Sequence, residues 1–233
     1  MNRHSQNRSA GKRTSLLQRR QDLSVQAFRD HWAGPHASIA RTMPGIAQYT
    51  QNRVIERLWQ PADAAQGYDC DGIVELEFCD ERAVGDANSS DVVRTLLPED
   101  EPRFLDGITL CRVQSGARQN WPGMVKVVIA ARLADESAAG LEVFEQALTR
   151  TGCAECSTEP VIDSFHRPKL RHEAEPPHVF ATLWFPSDRD VSEVFSERSA
   201  WSQAASRCTR RGAAWWCDAL PIVGDGRMER LGA

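Results

Sequence analysis

The stretch "IVELEF" (residues 73–78) decides how the rest of the chain is read. Successive residues of a strand point to opposite sides. Val74, Leu76 and Phe78 therefore share one face, and Ile73, Glu75 and Glu77 share the other. The apolar set suits packing beneath helices, which sends both carboxylates to the opposite surface of the sheet. Working outward, "RTSLLQRR" (13–20) reads as a first strand and "LSVQAFRDHWAGPHASIARTM" (23–43) as a helix with Ser24 as N-cap. "GIAQYTQNRVIERLW" (45–59) is extended, and the loop "PADAAQGYDCDG" leads into "IVELEF". "NSSDVVRTLLPEDEPRFLDG" follows as a helix with a proline-broken second part, then "ITLCRVQ" (108–114) as a strand. Residues 13–114 thus read β-α-β-β-α-β.

"SGARQNWPG" (115–123) has the composition of a linker, and the pattern then begins again. "MVKVVIAARL" (124–133) is a strand, and "SAAGLEVFEQALTRTG" (137–152) an amphipathic helix stopped by Gly152. "SFHRPKLRH" (164–172) reads as extended but broken by Pro168, and "HVFATLWF" (178–185) as a strand. "DVSEVFSERSAWSQAASRCTRRG" (190–212) reads as one helix capped by Asp190 or Ser192, and "AAWWCDALPIV" (213–223) as the last strand. The fold class is α+β, with tandem ferredoxin-like βαββαβ units. Each unit leaves one sheet face uncovered, and burying the two against each other gives an intramolecular α/β barrel. The expected divisions are a disordered basic tail over 1–12, domains over 13–118 and 122–224, and a tail over 225–233.

Bulk properties narrow the function classes. A chain of 233 residues with 41% hydrophobic and 26% charged residues has a globular balance. A net charge of -4 gives no general attraction to nucleic acid or anionic membrane, and no apolar run approaches a membrane span. The first twenty residues carry six Lys or Arg and no acid. They read as a basic tail on a cytoplasmic protein, with a Ser/Arg-rich transit peptide as the alternative. Seven scattered cysteines read mostly as reduced packing residues.

"SVQAFRDHWAGPHASIARTMPGIAQYTQNRV", "IVELEF" and "PEDEPRFLDG" together resemble the EthD family of the dimeric α/β-barrel superfamily. The matching positions are Phe28, Trp32, His36, Pro44, Gly45, Tyr49 and Asn52, and the resemblance spans about 13–118. It implies a small-molecule site in a barrel, among relatives that include cofactor-free isomerases of muconolactones and dehydratase-like proteins of polyketide pathways. The second half has no such motif and resembles a degenerate copy that completes the barrel.

Phe28, Trp32 and His36 fall at i, i+4 and i+8 of a helix, with His31 on a different side. Gly34-Pro35 predicts a break that puts His36 at a new helix N-terminus, where the dipole would keep its imidazole neutral as a general base. Glu75, toward the barrel interior, is the candidate acid or orienting group; the plainer reading is a solvated strand face or a salt bridge to Arg53 or Arg112. Tyr49 and Asn52 could each bind a carbonyl or hydroxyl, but a regular strand sends them to opposite faces. Phe28 and Trp32 would supply an apolar substrate wall; the plainer reading of both is core. "CAEC" (153–156) matches neither a standard zinc finger nor a thioredoxin-type helix start, which favours structural or incidental thiols. Haem on His36 is a further possibility of the superfamily; the expected state is no cofactor and no metal. The expected function is a cofactor-independent isomerase or dehydratase on a lactone or polyketide-like molecule, with a non-catalytic binding protein or a structural oligomerisation module as alternatives. The expected partners are a small-molecule substrate and a second copy paired through exposed barrel edges.

Overall fold

The computed structural model describes residues 11–114 and 121–224. The expected tails, except for residues 11 and 12, and most of the expected linker lie outside them. Eight strands form: β1 (Lys12–Arg19), β2 (Ile46–Trp59), β3 (Gly72–Phe78), β4 (Leu105–Val113), β5 (Val125–Leu133), β6 (Glu155–Phe165), β7 (Val179–Phe185) and β8 (Thr209–Val223). They close into a barrel in the order β1-β3-β2-β8-β5-β7-β6-β4, with every pairing antiparallel. The order is β4-β1-β3-β2 in the first half and β8-β5-β7-β6 in the second, so the serial pattern is the same in both. The halves meet along two seams, β2 with β8 and β4 with β6. Closure leaves every described strand with a neighbour on each side, so the edge-to-edge pairing expected from the sequence has no free edge to use.

Helices cover the outside. In the first half α1 (Val25–His31) is capped as expected, Ser24 Oγ accepting from the Ala27 N–H. It continues through a π-helical turn (Trp32–His36) into α2 (Ala37–Ala40). The second crossover begins earlier than expected, with α3 (Glu81–Ser89) capped by Asp80. Only Ala83 and Ala87 of α3 are buried, too small an apolar stripe to mark a helix. The chain turns out at Ser90, then forms a second π turn (Val92–Leu96) and α4 (Leu97–Asp100). In the second half α5 (Ala138–Leu148) runs into a 3-10 turn and ends at Gly152, at φ 62° as a C-terminal glycine should. The single helix expected over 190–212 is two, α6 (Asp188–Val194) and α7 (Ala200–Cys208), capped by Ser187 and Ser199. β6 begins nine residues upstream of the segment expected at 164–172 and overlaps it only at 164–165, because its buried position is Glu159 and it contains Pro160, which hide the apolar alternation of a strand.

Three large apolar clusters hold the barrel, and a small fourth packs Ala83 and Ala87 of α3 on Phe78. One fills the space between the first half's sheet and its helices, around Phe28, Trp32 and Phe104. A second does the same for the other half, around Phe144, Trp201 and Phe195. The third occupies the lumen, with Leu16, Ile73, Val128, Phe180 and Trp215. Among the described residues no helix is long and apolar enough to cross a membrane. Only Cys70, Cys111 and Cys217 are buried, fewer than the sequence suggested.

Gly72 lets α1 approach the sheet. A Cβ there would lie 2.6 Å from Trp32 Cζ3 and 3.3 Å from Phe28 Cζ. Two rigid aromatic rings must move to admit it, so Gly72→Ala is expected to cost about 1–3 kcal/mol by overpacking, read as a lower urea midpoint with an unchanged slope.

Candidate functional site

The site grows from the Gly34-Pro35 pair. Proline has no N–H to donate to the carbonyl four residues back. The chain answers with a widened turn in which the Ala37 N–H reaches the Trp32 carbonyl, five residues back. That carbonyl also accepts from Gln51 Nε2 at 2.7 Å. The expected break does not form: His31, His36 and Ala37 all keep right-handed helical angles. His36 is therefore at no helix N-terminus, and the dipole argument for its neutrality falls.

The widened turn instead swings His36 toward His31, which the sequence had placed on another side. Both rings meet one carboxylate, with His31 Nε2 and His36 Nδ1 each 3.0 Å from an oxygen of Asp100. Asp100 closes α4 and is 3% exposed. Burial pushes its pKa up, but hydrogen bonds from His36 and His31 outweigh that and hold it below the usual range. Phe104 packs against both imidazoles, with centroids at 4.8 and 4.9 Å. An ionised Asp100 can only accept, so it fixes the His36 proton on Nδ1 and leaves Nε2 for another partner.

His36 lines a cavity of about 50 Å³ between the helices and the outer face of the first half's sheet. Leu17, Val74, Leu105 and Ile108 form its apolar wall, and Arg13, Tyr49, Glu101 and Arg167 its polar one. That space holds water and no organic ring. The expected cavity of a few hundred cubic ångströms is not present at His36. Arg167 comes from the second half and sits 3.0 Å from the Glu101 carboxylate. Arg13 donates to Asn88 Oδ1 at 2.7 Å and lies over the Phe78 ring. Among the described residues no carboxylate is within ion-pair distance of Arg13. Burial, then the charges of Arg167 and Arg112, push its pKa down. Two arginines face one glutamate, so the cavity is set for an anionic oxygen.

Of the residues expected in the site, His36 and Tyr49 meet in this cavity. The Tyr49 hydroxyl accepts from Gln51 Nε2 at 2.7 Å, and burial pushes its pKa up, so it stays a protonated donor. Phe28 and Trp32 are fully buried core against Gly72, outside the cavity lining. Glu75 and Asn52 lie on the other side of the sheet, in the lumen, as the alternation of "IVELEF" and the odd spacing from Tyr49 both require. There Asn52 Nδ2 donates to Glu75 at 3.0 Å and Lys126 Nζ donates at 2.6 Å. Arg53 and Arg112 pair with Asp218 and Asp163 instead. Burial pushes Glu75 up, but the charges of Lys126 and Lys12, with hydrogen bonds from Lys126 and Asn52, hold it at about 2. It is a fixed carboxylate, separated from His36 by the sheet, and so neither the acid nor the orienting group expected. Asp100, Glu101, Arg13 and Arg167 escaped the sequence reading. The first two sat in the quoted "PEDEPRF" without a partner to reveal them, and Arg167 has no local signal because it arrives from the other half.

Fold and site together define an α/β barrel with a histidine–aspartate site beneath its helices. Residues 20–108, from just after β1 into β4, match the EthD domain family. Over the whole chain the fold is similar to that of an anthrone oxidase-like protein, with a TM-score of 0.63 at 7% identity, covering 97% of this chain and 98% of that one. Weaker similarity extends to a candidate monooxygenase from Lactobacillus acidophilus (TM-score 0.46, 10% identity, 91% and 94% covered). Another, from Fusobacterium nucleatum, gives a TM-score of 0.49 at 8% identity, with 92% and 94% covered. No curated protein sequence matches the chain.

Proposed function

We propose that the protein is a cofactor-independent isomerase or dehydratase that removes a proton beside the carbonyl of a small cyclic, lactone or polyketide-like molecule, with His36 as the base. The observation that carries this reading is the pairing of His36 Nδ1 with Asp100 on a ring that lines the cavity. Once the helix layer moves outward to admit a substrate that the 50 Å³ space does not hold, the substrate C–H proton passes to Nε2, and its electron pair moves onto the carbonyl oxygen. Tyr49 donates to that oxygen, and Arg13 with Arg167 offsets its developing negative charge. Return of the proton to a different carbon completes an isomerisation; loss of a neighbouring hydroxyl as water completes a dehydration. Asp100 stabilises the imidazolium in between.

We read the two halves as tandem ferredoxin-like copies of unequal role. The shared strand order supports this, as does the packed aromatic cluster that fills the second half's helix–sheet space. The second copy completes the barrel and lends Arg167. The test is exchange of acidic C–H protons of a panel of cyclic ketones and lactones in D2O, followed by NMR. Exchange above the buffer rate is expected, and Asp100→Asn should slow it by about tenfold to a hundredfold, because the imidazole loses its fixed tautomer and its counter-charge. A panel member that binds yet exchanges no faster than in buffer would replace this reading with that of a binding protein.

A further inference from the structure

The groove beside the end of α5 has no part in the His36 site. It measures about 410 Å³ and is lined by Glu145, Thr151, Cys153, Glu155, Cys156 and Thr158, all from the second half. The αL turn at Gly152 ends the helix, a bend follows at Ala154, and β6 begins at Glu155. This path brings two thiols together three residues apart. Cys153 is half-buried, its N–H donating to Thr151 Oγ1, and Cys156 is exposed. Interaction between the two thiols, first among the causes, pushes the Cys153 pKa down and the Cys156 pKa up. Cys153 differs in this from buried Cys70, Cys111 and Cys217, whose pKa values burial pushes up.

We propose that Cys153 and Cys156 are a reversible redox dithiol whose substrate is a small-molecule disulfide bound in this groove. The Cys153 thiolate attacks one sulfur of the disulfide RS–SR; that S–S bond breaks and the first RS⁻ leaves, taking a proton. Cys156 then loses its proton and attacks the Cys153 sulfur, and the second RS⁻ leaves. The two cysteines are oxidised by two electrons to one internal disulfide, and RS–SR is reduced to two RSH. Glu145 and Glu155 at the groove oppose anionic substrates and favour a disulfide that carries amines.

The test treats the full-length reduced protein with cystamine, quenches by alkylation, and maps the thiols by mass spectrometry. Cys79 is also exposed but stands alone and serves as the internal reference. The expected result is an internal Cys153–Cys156 disulfide formed about tenfold faster than the mixed disulfide on Cys79. Cystamine should act faster than oxidised glutathione, with the gap narrowing at high salt. In Cys156→Ser, which keeps a hydroxyl at an exposed position, the mixed disulfide on Cys153 should accumulate. Modification of Cys79 while Cys153 and Cys156 stay alkylatable would overturn the proposal, and the wild-type map alone decides this if the variant misfolds. A Cys156→Ser protein with native circular dichroism and no Cys153 adduct would overturn it as well.

Discussion

Replacing His36 with glutamine should slow substrate proton exchange by about 10²–10⁴-fold, the range expected for loss of a positioned general base. Glutamine keeps a polar side chain of similar reach, so it can still meet Asp100, but its amide takes no proton at neutral pH. Binding should survive, because the apolar wall, Tyr49 and the two arginines remain. The expected signature is thus a collapse in turnover with ligand affinity changed by no more than a few fold. His31→Gln is the control. His31 shares Asp100 but does not line the cavity, so its loss should cost about tenfold or less. Equal losses in the two variants would mean that the pair supports the fold and His36 is no base. Measurement of exchange rate and binding side by side separates these outcomes.

The largest effect on stability is expected inside the barrel. Lys126→Met leaves the Glu75 carboxylate in the lumen without its 2.6 Å partner. Lys12, engaged by Glu159, adds its charge nearby but no hydrogen bond to Glu75. Breaking one side of a buried ion pair costs about 3–5 kcal/mol, whereas replacing both sides with apolar groups can be near neutral. Glu75→Leu combined with Lys126→Met should therefore recover much of the loss. The pH dependence has a definite sign. Glu75 is held at about 2 in the folded chain, below the roughly 4.3 of an unfolded glutamate. Its contribution is fully present above about pH 5 and fades as pH falls toward the folded value. The stability gap between wild type and Lys126→Met should narrow as pH falls from about 4.5 to 2, as the wild-type Glu75 takes a proton and its advantage is lost. Urea unfolding across that range measures it; a gap that widens toward acid would show that Lys126 acts through packing on Trp184, 5.3 Å from its ammonium, and not through charge.

The alternation in "IVELEF" was enough to place Val74 and Leu76 under the helices and Glu75 in the lumen, because a strand's period of two leaves no freedom once one face is apolar. Repetition of that logic through both halves made the barrel legible. α3 and β6 were not, since each carries little apolar periodicity, and β6 is shaped by a buried glutamate whose partner, Lys12, is 147 residues away. His36 and Tyr49 were found through the resemblance of their spacing to a family. Asp100 was hidden because it meets His36 across 64 residues, and because a proline in a helix predicts a kink more readily than a π turn.

Both seams of the barrel lie within one polypeptide, and this alters what mass action can do to it. A barrel assembled from two chains opens on dilution; here one half always meets the other at the effective concentration of a tether. Symmetry is released by the same stroke. In a paired assembly of identical chains every substitution appears twice, once in each half. In this chain Arg167 could arise on one side alone, without any matching change in the other half.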